Sequence, residues 1–174
     1  GRLSGEVIGI TGSVGKTSLK DLLRAVAGTT WSTHASVGSF NNELGVPLTL
    51  VDAPDDAGVV VVEMGARGIG HVAELCEVAR PSVGVVTVVA GAHLEHFGSL
   101  AAIAAAKGEL VESVPASGLA VLNADDELVA AMASRTEARV LTFGRHHGAV
   151  RAEHLEGDEQ LRALDEQRRT LEEQ

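Results

Sequence analysis

Aromatic side chains are nearly missing from this sequence, at 2% of 174 residues. A core made by this chain must therefore be packed from Val, Leu, Ile and Ala, within an apolar fraction of 45%. Cys76 is the only cysteine, which excludes an internal disulfide and fits a reducing compartment. Its expected place is that of a small buried apolar residue on a helix. No apolar run approaches the roughly 18–20 residues a membrane-crossing helix needs, and the opening residues lack a signal-peptide pattern. Basic groups are outnumbered, 14 Lys and Arg against 24 Asp and Glu, for a formal charge of −10. That balance excludes the broad positive surface demanded by nucleic acid or an anionic membrane. It leaves room for a phosphorylated ligand, which needs only a local positive site.

What is present is regular. Short β-branched runs alternate with Ala- and Leu-rich stretches as far as Gly144. The strands predicted are Val7–Ile10, Val59–Glu63, Val83–Val89, Leu119–Asn123 and Val140–Phe143, with a weaker one near Trp31–Ser36. Helices are predicted over Lys16–Ala27, Gly70–Ala79, Ser99–Ser113 and Glu127–Ala133, and a shorter one over Leu44–Val51. Runs such as VVVVE and VGVVTVV are apolar on both faces, as strands of a covered parallel sheet are. Strand–helix alternation then implies a doubly wound α/β sheet with helices on both faces. One domain is expected over residues 1–150, and the 20 glycines announce many tight turns. Residues 151–174, dense in charge with irregularly spaced leucines, read as a solvated helix or a segment without fixed structure. The chain opens on Gly1 almost directly at a strand, as a piece of a longer protein would.

The strongest local signal is VIGITGSVGKTSLKDLL. A strand runs into Thr11, Gly12, Ser13, Val14, Gly15, Lys16 and Thr17, and a helix follows at once. Glycines let backbone N–H groups turn toward phosphates, and a helix N-terminus adds partial positive charge. Lys16 is placed to bridge terminal phosphates and the Thr17 hydroxyl to hold Mg²⁺. Only two residues separate Gly12 from Gly15, so the loop is a compact variant of the usual phosphate loop. Glu63 ends an apolar strand, where such proteins keep a metal-side carboxylate. His93 and His96 follow the next strand, and Asn123 ends another. In a parallel sheet these positions all fall beyond the carboxyl ends of the strands, on one edge.

Lys107 poses a separate problem. In LAAIAAAKGELVESV the positions Leu100, Ile103, Lys107, Leu110 or Val111, and Val114 share one helix face. An ammonium group thus sits in the middle of a packing stripe. A long stem can snorkel out from the stripe's edge. Burial of a charge is costly unless it is paired or neutralised, and this helix starts beside the loop of His93. Position and cost together favour a functional lysine.

Five segments, TGSVGKTS, SFNNELGVPLTL, VVEMGARGIGH, AGAHLEHFGSLAAIAAAKGELVE and LNADDELV, stand in this order. In wording and sequence they resemble the Mur ligases over about Val7 to Gly144. The resemblance implies the central ATP-binding domain of a three-domain, cytoplasmic, monomeric ligase of peptidoglycan precursor synthesis. Its substrates would be ATP, a UDP-sugar peptide and D-Ala-D-Ala, joined by way of an acyl phosphate. By the same resemblance Lys107 reacts with CO₂ to become a carbamate that helps bind magnesium. Glu63, His93 and Thr17 match the other metal positions, with two Mg²⁺ implied. Asn41 and Asn42, with Ser39 beside them in the motif, match residues near the phosphates, and Asn123 one that contacts adenine. Asp125 and Asp126 read instead as caps of the following helix. The neighbouring domains are not in this sequence and the central domain looks cut short after Gly144, so weak ATP–Mg²⁺ binding without ligation is the expectation for the chain alone. Two readings stay open: another Mur-type ligase or one of folylpolyglutamate or cyanophycin type, against the last two of which SFNNELGVPLTL speaks, and a nucleotide-binding fragment without ligase activity.

Overall fold

The computed structural model describes residues 5–91 and 97–152. Seven strands form one sheet in the order β2-β3-β1-β4-β5-β6-β7, and every neighbouring pair is parallel. The strands are β1 (Glu6–Thr11), β2 (Thr33–Ala35), β3 (Val59–Glu63), β4 (Val83–Val86), β5 (Leu119–Asn123), β6 (Arg139–Gly144) and β7 (Val150–Arg151). The helices are α1 (Lys16–Ala27), α2 (Gly45–Asp52), α3 (His71–Ala79), α4 (Leu100–Ser113) and the short α5 (Glu127–Ala130). Residues Ala131–Arg135 continue α5 as a 3₁₀ turn, where an α-helix to Ala133 is predicted from the sequence. From β1 the chain steps out to β2 and back through β3, and from β4 it proceeds the other way. The reversal leaves a crevice at the carboxyl ends of β1 and β4, where such sheets bind ligands.

Helices cover both faces, as the two-sided apolar strands require. Leu19, Leu23 and Ala27 of α1 recur at four-residue spacing and pack on Ile10, Val59, Val61 and Val85. On the opposite face Val72, Leu75, Cys76 and Ala79 of α3 follow the three-and-four rhythm of a buried helix stripe. Cys76 is thus a buried apolar filler, and burial pushes its thiol up to about 11. α4 serves two clusters at once. Its Leu110 packs with α3 and β3, while Ile103 and Val111 pack with β5 and α5.

Several element ends shift by one or two residues from the sequence reading, and two differences go further. β4 stops at Val86 and not at Val89. Beyond Thr87 its backbone leaves the ladder: the Val88 carbonyl accepts from Ser13 N–H (2.8 Å), and Ala90 N–H donates to Ser13 Oγ (2.9 Å). The end of the strand braces the glycine loop instead of a neighbour. β7 was not anticipated; with two residues, 150 and 151, it is too short to show a pattern. The charged tail was read above as beginning at residue 151, but Arg151 pairs in β7; residues 153–174 lie outside the described residues.

The paired acids of LNADD divide their work. Asp126 caps α5, accepting from Leu128 and Val129 N–H (2.9 and 3.1 Å), and its second oxygen accepts from Val89 N–H (2.7 Å). Asp125 caps no helix. It accepts from the N–H groups of Arg145, His146 and His147, and these bonds, that of Arg145 foremost, hold its carboxyl down to about 2. Asp126→Ala removes both a cap and the anchor of the β4 extension. We expect it to cost roughly 1–3 kcal/mol in urea unfolding, and Asp126→Asn, which can still cap, to cost less.

Candidate functional site

β1 delivers the chain into the glycine loop at the sheet's carboxyl edge. Gly12 has φ +150, and a Cβ there would stand 1.8 Å from Thr87 Oγ1, so only glycine lets the loop lie against β4. Gly15 leads into α1, and no side-chain hydrogen bond caps that helix. Its first N–H groups are left for another acceptor. Lys16 folds back over the loop, donating from Nζ to the Gly12 carbonyl (2.8 Å). Ser13 is pinned by its two bonds to Ala90.

Behind the loop lies Glu63, 1% exposed at the end of β3. One carboxylate oxygen accepts from Thr17 Oγ1 and the other from Asn41 Nδ2, each at 2.8 Å. Its own N–H donates to Ser36 Oγ (3.2 Å). Asn41 is held in turn by Gly65 N–H, which donates to its carbonyl (2.7 Å). Asn42 uses its Oδ1 to accept from Leu44 and Gly45 N–H at the start of α2.

Lys107 is 5% exposed, yet it is not lost in the core. A cavity of about 400 Å³ is lined by Gly12, Ser13 and Lys16 of the loop, by Asn41 and Asn42, by Gly65, Ala66, Arg67 and His71, and by Phe97 and Lys107. The helix stripe therefore breaks at Lys107 because that side chain faces the cavity. Burial, with Lys16 as a second cause, lowers its ammonium from the ordinary 10.5 to about 8. This is the local positive site that an acidic chain can still build. Of the residues singled out from the sequence, the structure gathers Gly12, Ser13, Lys16, Asn41, Asn42 and Lys107 around this one space. Asn123 is not among them. It borders an apolar hollow of about 520 Å³ on the α1 face, with Ile8, Val85, Val121 and Phe143. Both ends of its amide are engaged, Nδ2 with the Thr87 carbonyl (2.8 Å) and Oδ1 with Asp125 N–H (3.0 Å). His93 and His96 lie outside the described residues. Among the described residues there is no cluster of three or more His, Cys, Asp or Glu able to hold a metal.

Several contributors were not visible in the sequence. Arg67 and His71 line the cavity mouth and share Glu43, whose two oxygens lie 3.3 Å from Arg67 Nη1 and His71 Nε2. His71 Nδ1 accepts from Arg67 N–H (3.2 Å), which makes Nε2 the protonated nitrogen that faces Glu43. Lys20, 2% exposed, donates to the carbonyls of Ser36 (2.8 Å) and Gly38 (2.7 Å). It ties α1 to the segment that carries Asn41. Only the motif VVEMGARGIGH hinted at Arg67 and His71; nothing in the pattern around Lys20 marked it as buried.

A parallel α/β sheet with its glycine loop, buried carboxylate and cationic cavity on one edge is the layout of a domain that takes its ligand beyond the strand ends. Comparison with known proteins narrows that class. Residues 10–170 match the family model of the Mur ligase middle domain, and the chain belongs to this family. It is 52% identical over 139 residues to the UDP-N-acetylmuramoyl-tripeptide–D-alanyl-D-alanine ligase of Mycobacterium tuberculosis, covering 80% of this chain and 27% of that protein. The structure is similar to that of MurF from Acinetobacter baumannii, with a TM-score of 0.82 and 29% identity over 89% of this chain and 34% of that one. It is similar also to the MurF ligase of Thermotoga maritima in complex with ADP, with a TM-score of 0.79 and 33% identity over 89% and 37% of the two chains. The chain thus spans between 27% and 37% of the length of these relatives. No helix among the described residues is long and apolar enough to cross a membrane.

The depressed Lys107 ammonium has a consequence for stability. Between about 8 and 10.5 the unfolded chain binds more of this proton than the folded one, so stability rises with pH through that window. Below it the penalty of the buried charge is fully present. In CO₂-free buffer, Lys107→Met is expected to raise stability near neutral pH by roughly 1–3 kcal/mol. The gain should shrink toward zero as the pH approaches 10.5. Urea midpoints of the two proteins measured across that range check it; a pH-independent difference would contradict it.

Proposed function

We propose that this domain binds the nucleotide of an ATP-dependent amide-bond-forming ligase, one that adds D-Ala-D-Ala to UDP-N-acetylmuramoyl-tripeptide in peptidoglycan precursor synthesis. The observation that carries the proposal is the meeting of Lys16 and Lys107 in one cavity, with the Thr17–Glu63–Asn41 group directly behind the loop. A ligase of this kind must bring a substrate carboxylate to the γ-phosphate of ATP, two anions that repel. The carboxylate oxygen attacks phosphorus and ADP leaves with the bridging oxygen, giving an acyl phosphate. The amine of the dipeptide then attacks the acyl carbon and phosphate departs. The domain's share is the nucleotide end. Lys16 and the first N–H groups of α1 would bind the phosphates, and Arg67 extends the positive lining.

The donors present suit magnesium, with the Thr17 hydroxyl and the Glu63 carboxylate supplying hard oxygens. Glu63 already keeps both oxygens turned to polar partners, so a cation would replace donors and not meet a bare hydrocarbon wall. Two Mg²⁺ held by Thr17, Glu63, His93 and Lys107 would neutralise phosphate charge. In this reading Lys107 contributes as a carbamate. Its neutral amine attacks CO₂, the N–C bond forms and a proton leaves to water, and the product is an anionic oxygen ligand. Burial favours the neutral amine this step needs. Asn123 remains the candidate on the adenine side, at the edge of the apolar hollow. We further take the parent enzyme to be monomeric and cytoplasmic, with this domain running through β7 and a tail after it.

Calorimetric titration of this chain with ADP and Mg²⁺ should show binding that Lys16→Ala weakens at least roughly tenfold, about 1.4 kcal/mol. Absence of binding by the unaltered chain would remove the nucleotide reading. With ¹³C-bicarbonate, a carbamate carbon signal should appear and vanish in Lys107→Ala. In the full-length protein, Lys107→Ala should abolish ligation, and a short-chain carboxylic acid should restore part of it.

A further inference from the structure

Lys107, Gly108 and Glu109 follow one another on α4, and all three are buried. Successive helical residues point about 100° apart, so the triplet addresses three different neighbours. Lys107 faces the cavity. Gly108 lies under Arg135, which comes from the 3₁₀ turn before β6. The Arg135 guanidinium spreads over α4: Nη1 donates to the Ala104 carbonyl (3.2 Å), Nη2 to that of Ala105 (3.0 Å) and Nε to the Glu112 carboxylate (2.9 Å). A Cβ at position 108 would stand 1.8 Å from Nη1 and 2.2 Å from Cζ. Glycine is a poor helix former, and here it provides the seat for that guanidinium. Glu109 reaches the other way. Its oxygens accept from Gly70 N–H (2.6 Å) and Ala73 N–H (3.0 Å), capping α3, which has no side-chain cap in its own N-cap residue.

The rest of α4 is Ala-rich, LAAIAAAKGELVES. A surface of methyl groups has shallow ridges, and apolar packing is non-directional, so it resists sliding and rotation of the helix weakly. A planar guanidinium and a carboxylate bound at both oxygens supply direction. We propose that Arg135 and Glu109 are positioning residues that clamp α4 at the register where the Lys107 amine enters the cavity, with Gly108 as the seat of the clamp. The proposal rests on the reading of Lys107 as the reactive amine, but the clamp itself involves neither nucleotide nor metal.

The chain has only three lysines, Lys16, Lys20 and Lys107. Protein labelled with [ε-¹³C]lysine therefore gives three resonances, assignable by single Lys→Arg changes, in CO₂-free buffer without nucleotide. In Arg135→Ala the Lys107 resonance should move toward the position of a solvated lysine while that of Lys20 stays. Gly108→Ala should move it likewise, and Glu109→Gln less far. A purely structural loss would disturb Lys20 as well. Melting temperatures supply the second arm: Gly108→Ala should destabilise the protein that has Arg135 and stabilise the Arg135→Ala protein, a reversal of sign. If Arg135→Ala does not fold, Arg135→Lys, which keeps the charge and loses the fork, is measured in the same way. An unmoved Lys107 resonance in a folded Arg135 variant overturns the clamp, and so does an equal effect of Gly108→Ala in both backgrounds. Failure of nucleotide or CO₂ binding would leave these resonances unchanged, so the two readings fail separately.

Discussion

The site is organised by a carboxylate that has almost no contact with water. Burying Glu63 would cost several kcal/mol if its oxygens were left bare, and the surrounding chain is arranged to prevent that. Thr17 approaches from α1 and Asn41 from the segment after β2, each giving one hydrogen bond. Ser36 takes the Glu63 N–H, and Lys20 fastens the Ser36 and Gly38 carbonyls to α1. Two separate stretches of sequence, α1 and the segment after β2, are thus drawn to the end of β3. The glycine loop, Asn41 and the edge of the sheet hold fixed relations because one buried charge must be satisfied from all of them.

The same economy governs charge on a larger scale. The chain is acidic overall, with a formal charge of −10, yet Lys16, Lys107, Arg67 and His71 all line one cavity. The acidic groups near them already have partners. Glu109 caps α3, Glu43 lies against Arg67 and His71, and Glu63 is occupied by Thr17 and Asn41. Net charge therefore says little about a site whose field is set within a few ångströms, and screening limits the reach of the exposed acids.

Two-sided apolar β-branched runs alternating with Ala- and Leu-rich stretches made most of the fold legible. β3 and β5 begin and end where the sequence reading puts them, and so does α1, because in each the apolar pattern and the turn signals coincide. Where a boundary depends on a partner distant in sequence, pattern fails. Val88 and Val89 look like strand, but their polar groups go to Ser13 and Asp126. The acids of LNADD look like a pair of caps, but one is claimed by the loop at residues 145–147. In the candidate site the glycine loop, Glu63, the two asparagines and Lys107 were legible from their motifs. Lys20 and Arg135 were not, since on an isolated helix or turn a basic residue reads as solvated surface.

α4 shows why the lysine and the core cannot be treated apart. Leu110 belongs to the cluster beneath α3, and Ile103 and Val111 to the cluster beneath α5. Lys107 sits between them in sequence, at the point where the helix passes from one half of the sheet to the other and beside the crevice between β1 and β4. A shift of α4 that improved one cluster would loosen the other and carry the amine with it. A cavity that must admit an anion is held open beside a core that tends to close, and the helix between them is where the two demands are balanced. Small residues allow α4 to lie close to the sheet, and polar contacts at its flanks take over the fixing that large side chains would otherwise provide.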